Sequence, residues 1–280
     1  MDLNRLVYRR VRVFVMAALL AVGLVHGVVG QTTANGAEKV QAMASDADPS
    51  FEVATIRPSD PDHPLDAEGS PIAHRSVFAD MNLRFLLAFV YDVHDMQIVN
   101  APAWLGTEKF DIVGVVDVPG TPNLEQLKTM ERKLLVDRFQ LKFHWEKREM
   151  SAYVLTVGKG GAKLAESKDP GGHPSFLGRP DREMKGRNLT MANFAQLLQS
   201  GIMDRPVVDR TGLEGKYDFV LKWTPDQSQF GGRFPVAADS ADAPPGIFTA
   251  VQEQLGLRLS AEKTLVDVMV IDRVAQPSAN

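Results

Sequence analysis

Cysteine is absent from the 280 residues. That excludes thiol catalysis, Cys-ligated zinc and a disulfide-stapled scaffold. Histidine is scarce, at six residues, and none forms an HExxH or H-x-H pattern. There is no G-x-S-x-G elbow, no complete phosphate-binding loop and no G-x-G-x-x-G. Glycine and proline number 22 and 17, too few for a low-complexity or collagen-like chain. With 44% hydrophobic and 24% charged residues, the remainder is ordinary globular material. The length suits about two domains of average size or one large one.

One long apolar run exists, at residues 13–29, preceded by Arg5, Arg9, Arg10 and Arg12. A basic head, an uncharged stretch and small residues up to Gly30 make the layout of a secretory signal over 1–30. The run is also at the lower length limit for a retained membrane anchor. Either way the body of the protein is expected to be exported, periplasmic or secreted. Removing a segment that holds four Arg and one Asp moves the formal charge from −4 to −7. An acidic chain without long basic runs is a poor partner for nucleic acid. Membrane is a partner only if the N-terminal segment is retained.

Residues 31–50 are small and polar and read as a flexible leader. Alternation at 51–57 and 109–116 predicts strands, and the apolar stripe at 83, 86, 87 and 90 predicts a helix. Pro122 suits a helix start, with Leu124, Leu127, Met130, Leu134 and Leu135 facing a core. Strands are expected at 139–145 and 153–157, with a turn at 146–150. The Gly/Pro-rich stretch 159–182 reads as a linker. A second series follows: a helix near 191–199, a strand at 216–223, a helix at 247–255 and strands at 257–260 and 265–274.

The two series match. Leu83, Leu86, Phe89 and Val90 correspond to Met191, Phe194, Leu197 and Leu198 at an offset of 108. Residues 109–112 (KFDI) correspond to 216–219 (KYDF) at 107, and 139–143 to 255–259 at 116. This predicts an α+β fold made by tandem duplication of a strand-helix-strand-helix-strand-strand unit. The helices would pack on antiparallel or mixed sheet, with one repeat at 51–158 and the other at 183–277.

Few residues suggest chemistry. Asp92, His94 and Asp95 could hold a general base after the first helix, although a solvated helix end explains them as well. Asp60, Asp62, Asp66 and Glu68 lack the spacing of a calcium loop. Gly158, Lys159, Gly160 and Gly161 read as a turn. Asp111 and Asp218 recur in the two repeats and suit either paired sites or strand-edge turns. Tyr91, Trp104 and Trp223 could line a ligand groove or simply pack. No cofactor or metal is expected.

Several segments together carry a resemblance: 51–59 (FEVATIRPS), 86–92 (LLAFVYD), 102–104 (PAW), 134–139 (LLVDRF) with 141–144 (LKFH), 205–212 (RPVVDRTG) with 215–219 (GKYDF), and 247–257 (IFTAVQEQLGL). The chain resembles an uncharacterised exported family greatly expanded in soil acidobacteria. The resemblance spans 51 to about 277 and implies a signal-bearing protein of unknown activity. In some relatives a similar domain is attached to membrane metallopeptidases of the antibiotic-sensor type, which implies a sensor or interaction role. No metallopeptidase motif occurs here, so that activity is not implied. The expected function is an exported, non-catalytic binding or protein-interaction module, with an unknown protein or small-molecule partner in the envelope. The alternatives are an envelope-acting hydrolase using Asp92, His94 and Asp95, and a structural envelope protein.

Overall fold

The computed structural model describes residues 41–62, 75–172, 174–179, 183–232 and 243–277. The signal segment, most of the leader, His63, Asp66, Glu68, His74 and His173 lie outside these residues. The fold is α+β. The described chain falls into two compact units: residues 41–146 with 267–277, and residues 147–266. Each sequence-defined repeat therefore contributes to both units. Among the described residues no helix is long and apolar enough to cross a membrane.

In the first unit, β1 (Phe51–Pro58), β4 (Lys109–Val116) and β2 (Arg75–Asn82) form an antiparallel sheet in the order β1-β4-β2. Helix α1 (Leu83–Val90) begins where β2 ends, because the Asn82 side chain accepts the Phe85 N–H. It buries Leu83, Leu86, Leu87 and Val90, the predicted stripe. A short helix α2 (Trp104–Thr107) follows β3 (Ile98–Val99). Helix α3 (Leu124–Arg138) starts two residues beyond Pro122. Asn123 forms a capping box with Gln126 and so takes the cap position. The core joins these helices to Ile56, Phe110, Phe139, Met269 and Ile271.

The described part of the expected leader is not loose. Met43 is buried and its N–H donates to the Thr121 carbonyl at 2.9 Å. Gln126 Nε2 donates to the Ala44 carbonyl at 2.6 Å, and Lys133 Nζ to the Asp48 and Pro49 carbonyls. Buried Met43 and Pro49, with these bonds, anchor residues 41–50.

In the second unit, β6 (Ala165–Glu166), β10 (Tyr217–Leu221), β8 (Glu183–Leu189) and β7 (Ser175–Arg179) form a sheet in that order. The expected linker thus supplies two strands. Phe176 drives this, since it is buried against Phe194 and Phe219. Helix α4 (Met191–Gly201) carries a Thr190–Asn193 capping box. Helix α5 (Ile247–Leu255) ends at Gly256, whose φ is +65° and where a Cβ would collide with the Gly161 carbonyl oxygen.

The turn expected at 146–150 does not form, and β5 runs unbroken as Lys142–Val157. Likewise β11 is one strand, Leu257–Arg273, rather than two. Residues 146–149 are charged, and 146–150 are exposed to partly exposed but contain no Gly, Pro, Asn or Asp that would close a turn. A third sheet has the order β3-β11-β5-β9, where β9 is Val207–Asp209, and residues of β5 and β11 fall in both units. Its outer pairings are parallel: Met269 and Val270 with Ile98 and Val99 in the first unit, and Tyr153–Leu155 with Val207–Asp209 in the second. The protein thus combines these parallel pairs with the antiparallel pairs of the other two sheets.

Candidate functional site

The segment after α1 holds Asp92, His94 and Asp95, and the structure gives each a separate partner. Asp92 adopts φ +57° and receives Lys128 Nζ at 2.6 and 2.8 Å. Lys128 is almost fully buried and also pairs with Glu125 at 3.2 Å. His94 caps a single 3-10 turn, Asp95–Gln97. Its Nδ1 accepts the Met96 N–H at 3.1 Å, while its own N–H donates to Gln97 Oε1 at 2.7 Å. Asp95 forms an ion pair with Arg84, whose guanidinium also donates to the Asp95 and Ile98 carbonyls at 2.8 Å.

The recurrent aspartates sit at strand bulges. Asp111 is 2% exposed. Its carboxylate accepts the Asp80 N–H at 3.0 Å, Ser59 Oγ–H at 2.9 Å and the Arg57 guanidinium at 3.2 and 3.3 Å. Asp80 is held at φ +54°, where β2 shifts register against β4. Asp218 accepts the Asn188 N–H at 2.8 Å, and Asn188 also stands at φ +54° beside a register shift of β8 against β10. Asp111→Ala removes the acceptor of the part-buried Asp80 N–H and Ser59 hydroxyl and the partner of the Arg57 guanidinium. The expected cost is about 2–4 kcal/mol, against about 1 kcal/mol for Asp218→Ala. Urea unfolding of the two variants checks this order.

The aromatic candidates separate. Trp223 is completely buried, stacked on Phe230 at 6.2 Å, with its N–H donated to Gln229 Oε1 at 2.7 Å. It presents no surface to a ligand. Trp104 packs edge-on against Phe110 at the start of α2. Tyr91 is half-buried, meets Phe143 edge-on at 4.9 Å and lies under the Arg132 guanidinium at 5.6 Å. Burial raises its hydroxyl pKa, and Arg132 partly offsets this.

From Tyr91 the row continues. Phe143 meets Trp145 edge-on at 5.6 Å, and Trp145 is 47% exposed. Alternation along β5 sends His144 and Glu146 to the other side. His144 Nδ1 lies 2.9 and 3.0 Å from the Asp272 carboxylate oxygens, and Nε2 lies 3.0 Å from Glu146 Oε1. The hydrogen bond that the ring donates to Asp272, then the one it donates to Glu146, raises the His144 pKa. A carboxylate at each edge favours the imidazolium, in which both ring nitrogens can donate. Among the described residues no group of three His, Asp or Glu side chains could hold a metal ion. The sequence reading did not single out His144, because its partner Asp272 is 128 residues away.

A model of a family described as Protein of unknown function (DUF3738) matches residues 84–274. No curated protein and no solved structure matches the chain.

Proposed function

We propose that this chain, which belongs to the DUF3738 family of proteins of unknown function, is an exported, non-catalytic binding or protein-interaction module. One observation carries the reading. Phe143 and Trp145 stand edge to face on a charged, partly exposed part of β5, and Trp145 is 47% exposed. Flat rings beside a charged strand suit recognition, because they offer contact area at little cost in side-chain entropy. The partner is a protein or small molecule of the envelope. The export signal at 1–30 and the resemblance to domains attached to sensor-type membrane metallopeptidases, in a family expanded in soil acidobacteria, support a sensor-related role outside the cytoplasm.

A thermal-shift panel of sugars, peptidoglycan fragments, peptides, nucleotides and divalent metals tests the proposal. A ligand at one hundred times its Kd stabilises the folded state by about 2.7 kcal/mol, which raises the melting temperature by several degrees. The expected result is such a shift, dose-dependent and reduced by Trp145→Ala. A flat panel, together with no crosslinked partner in the native envelope, contradicts it.

A further inference from the structure

The same hydrogen-bond registers occur twice. Arg57 faces Asp111 in the first unit, and Ala165 faces Asp218 in the second. The Ser59 N–H donates to the Lys109 carbonyl at 2.9 Å, and the Ser167 N–H to the Lys216 carbonyl at 2.8 Å. The bulges at Asp80 and Asn188 each lead, two residues later, into a capping residue, Asn82 or Thr190. After the last helix of each half, Gln140 and Gly256 both take left-handed backbone, at φ +51° and +65°. Parallel pairing then joins Tyr153 and Val154 to Val207 and Val208, and Met269 and Val270 to Ile98 and Val99. Side chains that share a sequence pattern can agree by chance of composition. Coincident registers, bulges and left-handed residues are independent of which apolar side chain fills a site.

The unit boundaries add one fact. Tyr153 and Leu155, from the first half of the sequence, belong to the core of the second unit. Met269 and Ile271, from the second half, belong to the core of the first. Residues 152–155 and 268–271 are all buried. We infer that the chain is two copies of one α+β unit that complete each other by exchanging the distal half of the last strand. Each unit then carries a strand-accepting edge, β3 in one and β9 in the other. Its partner is an extended apolar segment of the opposite copy. The unbroken passage of β5 and β11 through charged residues, where a turn was expected, is what this arrangement requires. A turn there would return each strand to its own half. This inference does not depend on the proposed binding function.

Amide hydrogen exchange of the full-length chain tests it, because a core truncation loosens the cooperative segment that its side chain supports. Ile271→Ala is expected to speed exchange at least tenfold in α1 and α3, leaving α4 and α5 within twofold. Leu155→Ala is expected to give the reverse. The milder pair Ile271→Val and Leu155→Val gives the same crossed pattern at smaller amplitude if an alanine variant does not fold. Loosening of α4 and α5 by Ile271→Ala, or equal loosening of both units, overturns the exchange. Interchanging residues 152–155 with 268–271 tests the equivalence of the copies. Cooperative unfolding is expected to persist, and its loss overturns the duplication.

Discussion

Glu131→Gln is expected to flatten the fall in stability that the wild-type protein shows between about pH 5 and pH 8. Glu131 lies on α3 with no exposed surface. Its Oε1 is 3.5 Å from Ser76 Oγ, and its Oε2 has no hydrogen-bond partner among the described residues. Burial without a cation disfavours the carboxylate, and the pKa is pushed up to about 8. The folded state therefore keeps a proton that the unfolded chain releases near its ordinary value of 4.5. Stability from this proton is complete below about pH 4.5, falls as pH rises and is gone above about pH 8. Each unit of pKa difference corresponds to about 1.4 kcal/mol, so the loss reaches several kcal/mol at most. Glutamine keeps the shape and cannot ionise. The variant should match wild type near pH 5 and exceed it at pH 8.5. The His144 pKa is raised as well, and its contribution is also lost as pH rises, so the difference between variant and wild type is the quantity to read. Parallel pH profiles would contradict the assignment.

Trp223→Ala is expected to cost the second unit about 3–5 kcal/mol, the range for removing a fully buried aromatic side chain. The cavity would open against Phe230, and Gln229 Oε1 would lose its donor. Gln229 has no exposed surface, and its Nε2 has no hydrogen-bond partner among the described residues, so the amide cannot turn to water. Trp223→Phe keeps most of the volume and loses the N–H. Its cost should fall between the alanine variant and wild type, at about 1–3 kcal/mol. Denaturant unfolding of both variants measures this. Equal stability of the phenylalanine variant and wild type would mean that the bond to Gln229 contributes nothing.

Much of the local structure was legible in the residues. The stripe at Leu83, Leu86, Leu87 and Val90 is a helix, and the alternation at 109–116 is a strand. Both follow from periods that depend only on which face is apolar. Asn123 displaced the helix start expected at Pro122, because a side-chain acceptor at the cap satisfies an N–H that proline merely lacks. The long strands were not legible. Charged residues at 146–149 suggest a turn locally, and only the tertiary position of the distal halves shows why the chain continues. The strand at 175–179 was hidden in a Gly/Pro-rich stretch whose one phenylalanine, Phe176, is buried in the core.

The candidate site was less legible for the same reason. Glu131 sits in a segment, 124–138, that reads as an ordinary amphipathic helix with solvated charges. Nothing in its neighbours shows that this one carboxyl faces inward. The Asp92–Lys128 and His144–Asp272 contacts join residues far apart in sequence. Asp111 and Asp218 stood out because they recur, but their bulge geometry depends on Asp80 and Asn188 on other strands.

The proposed role rests on binding without turnover. The most direct measurement incubates the full-length protein with each compound that raises its melting temperature and follows the compound by mass spectrometry. The account predicts recovery of the compound unchanged, with binding that survives His94→Ala. A converted product, whose formation stops in His94→Ala while the folded protein persists, would contradict it.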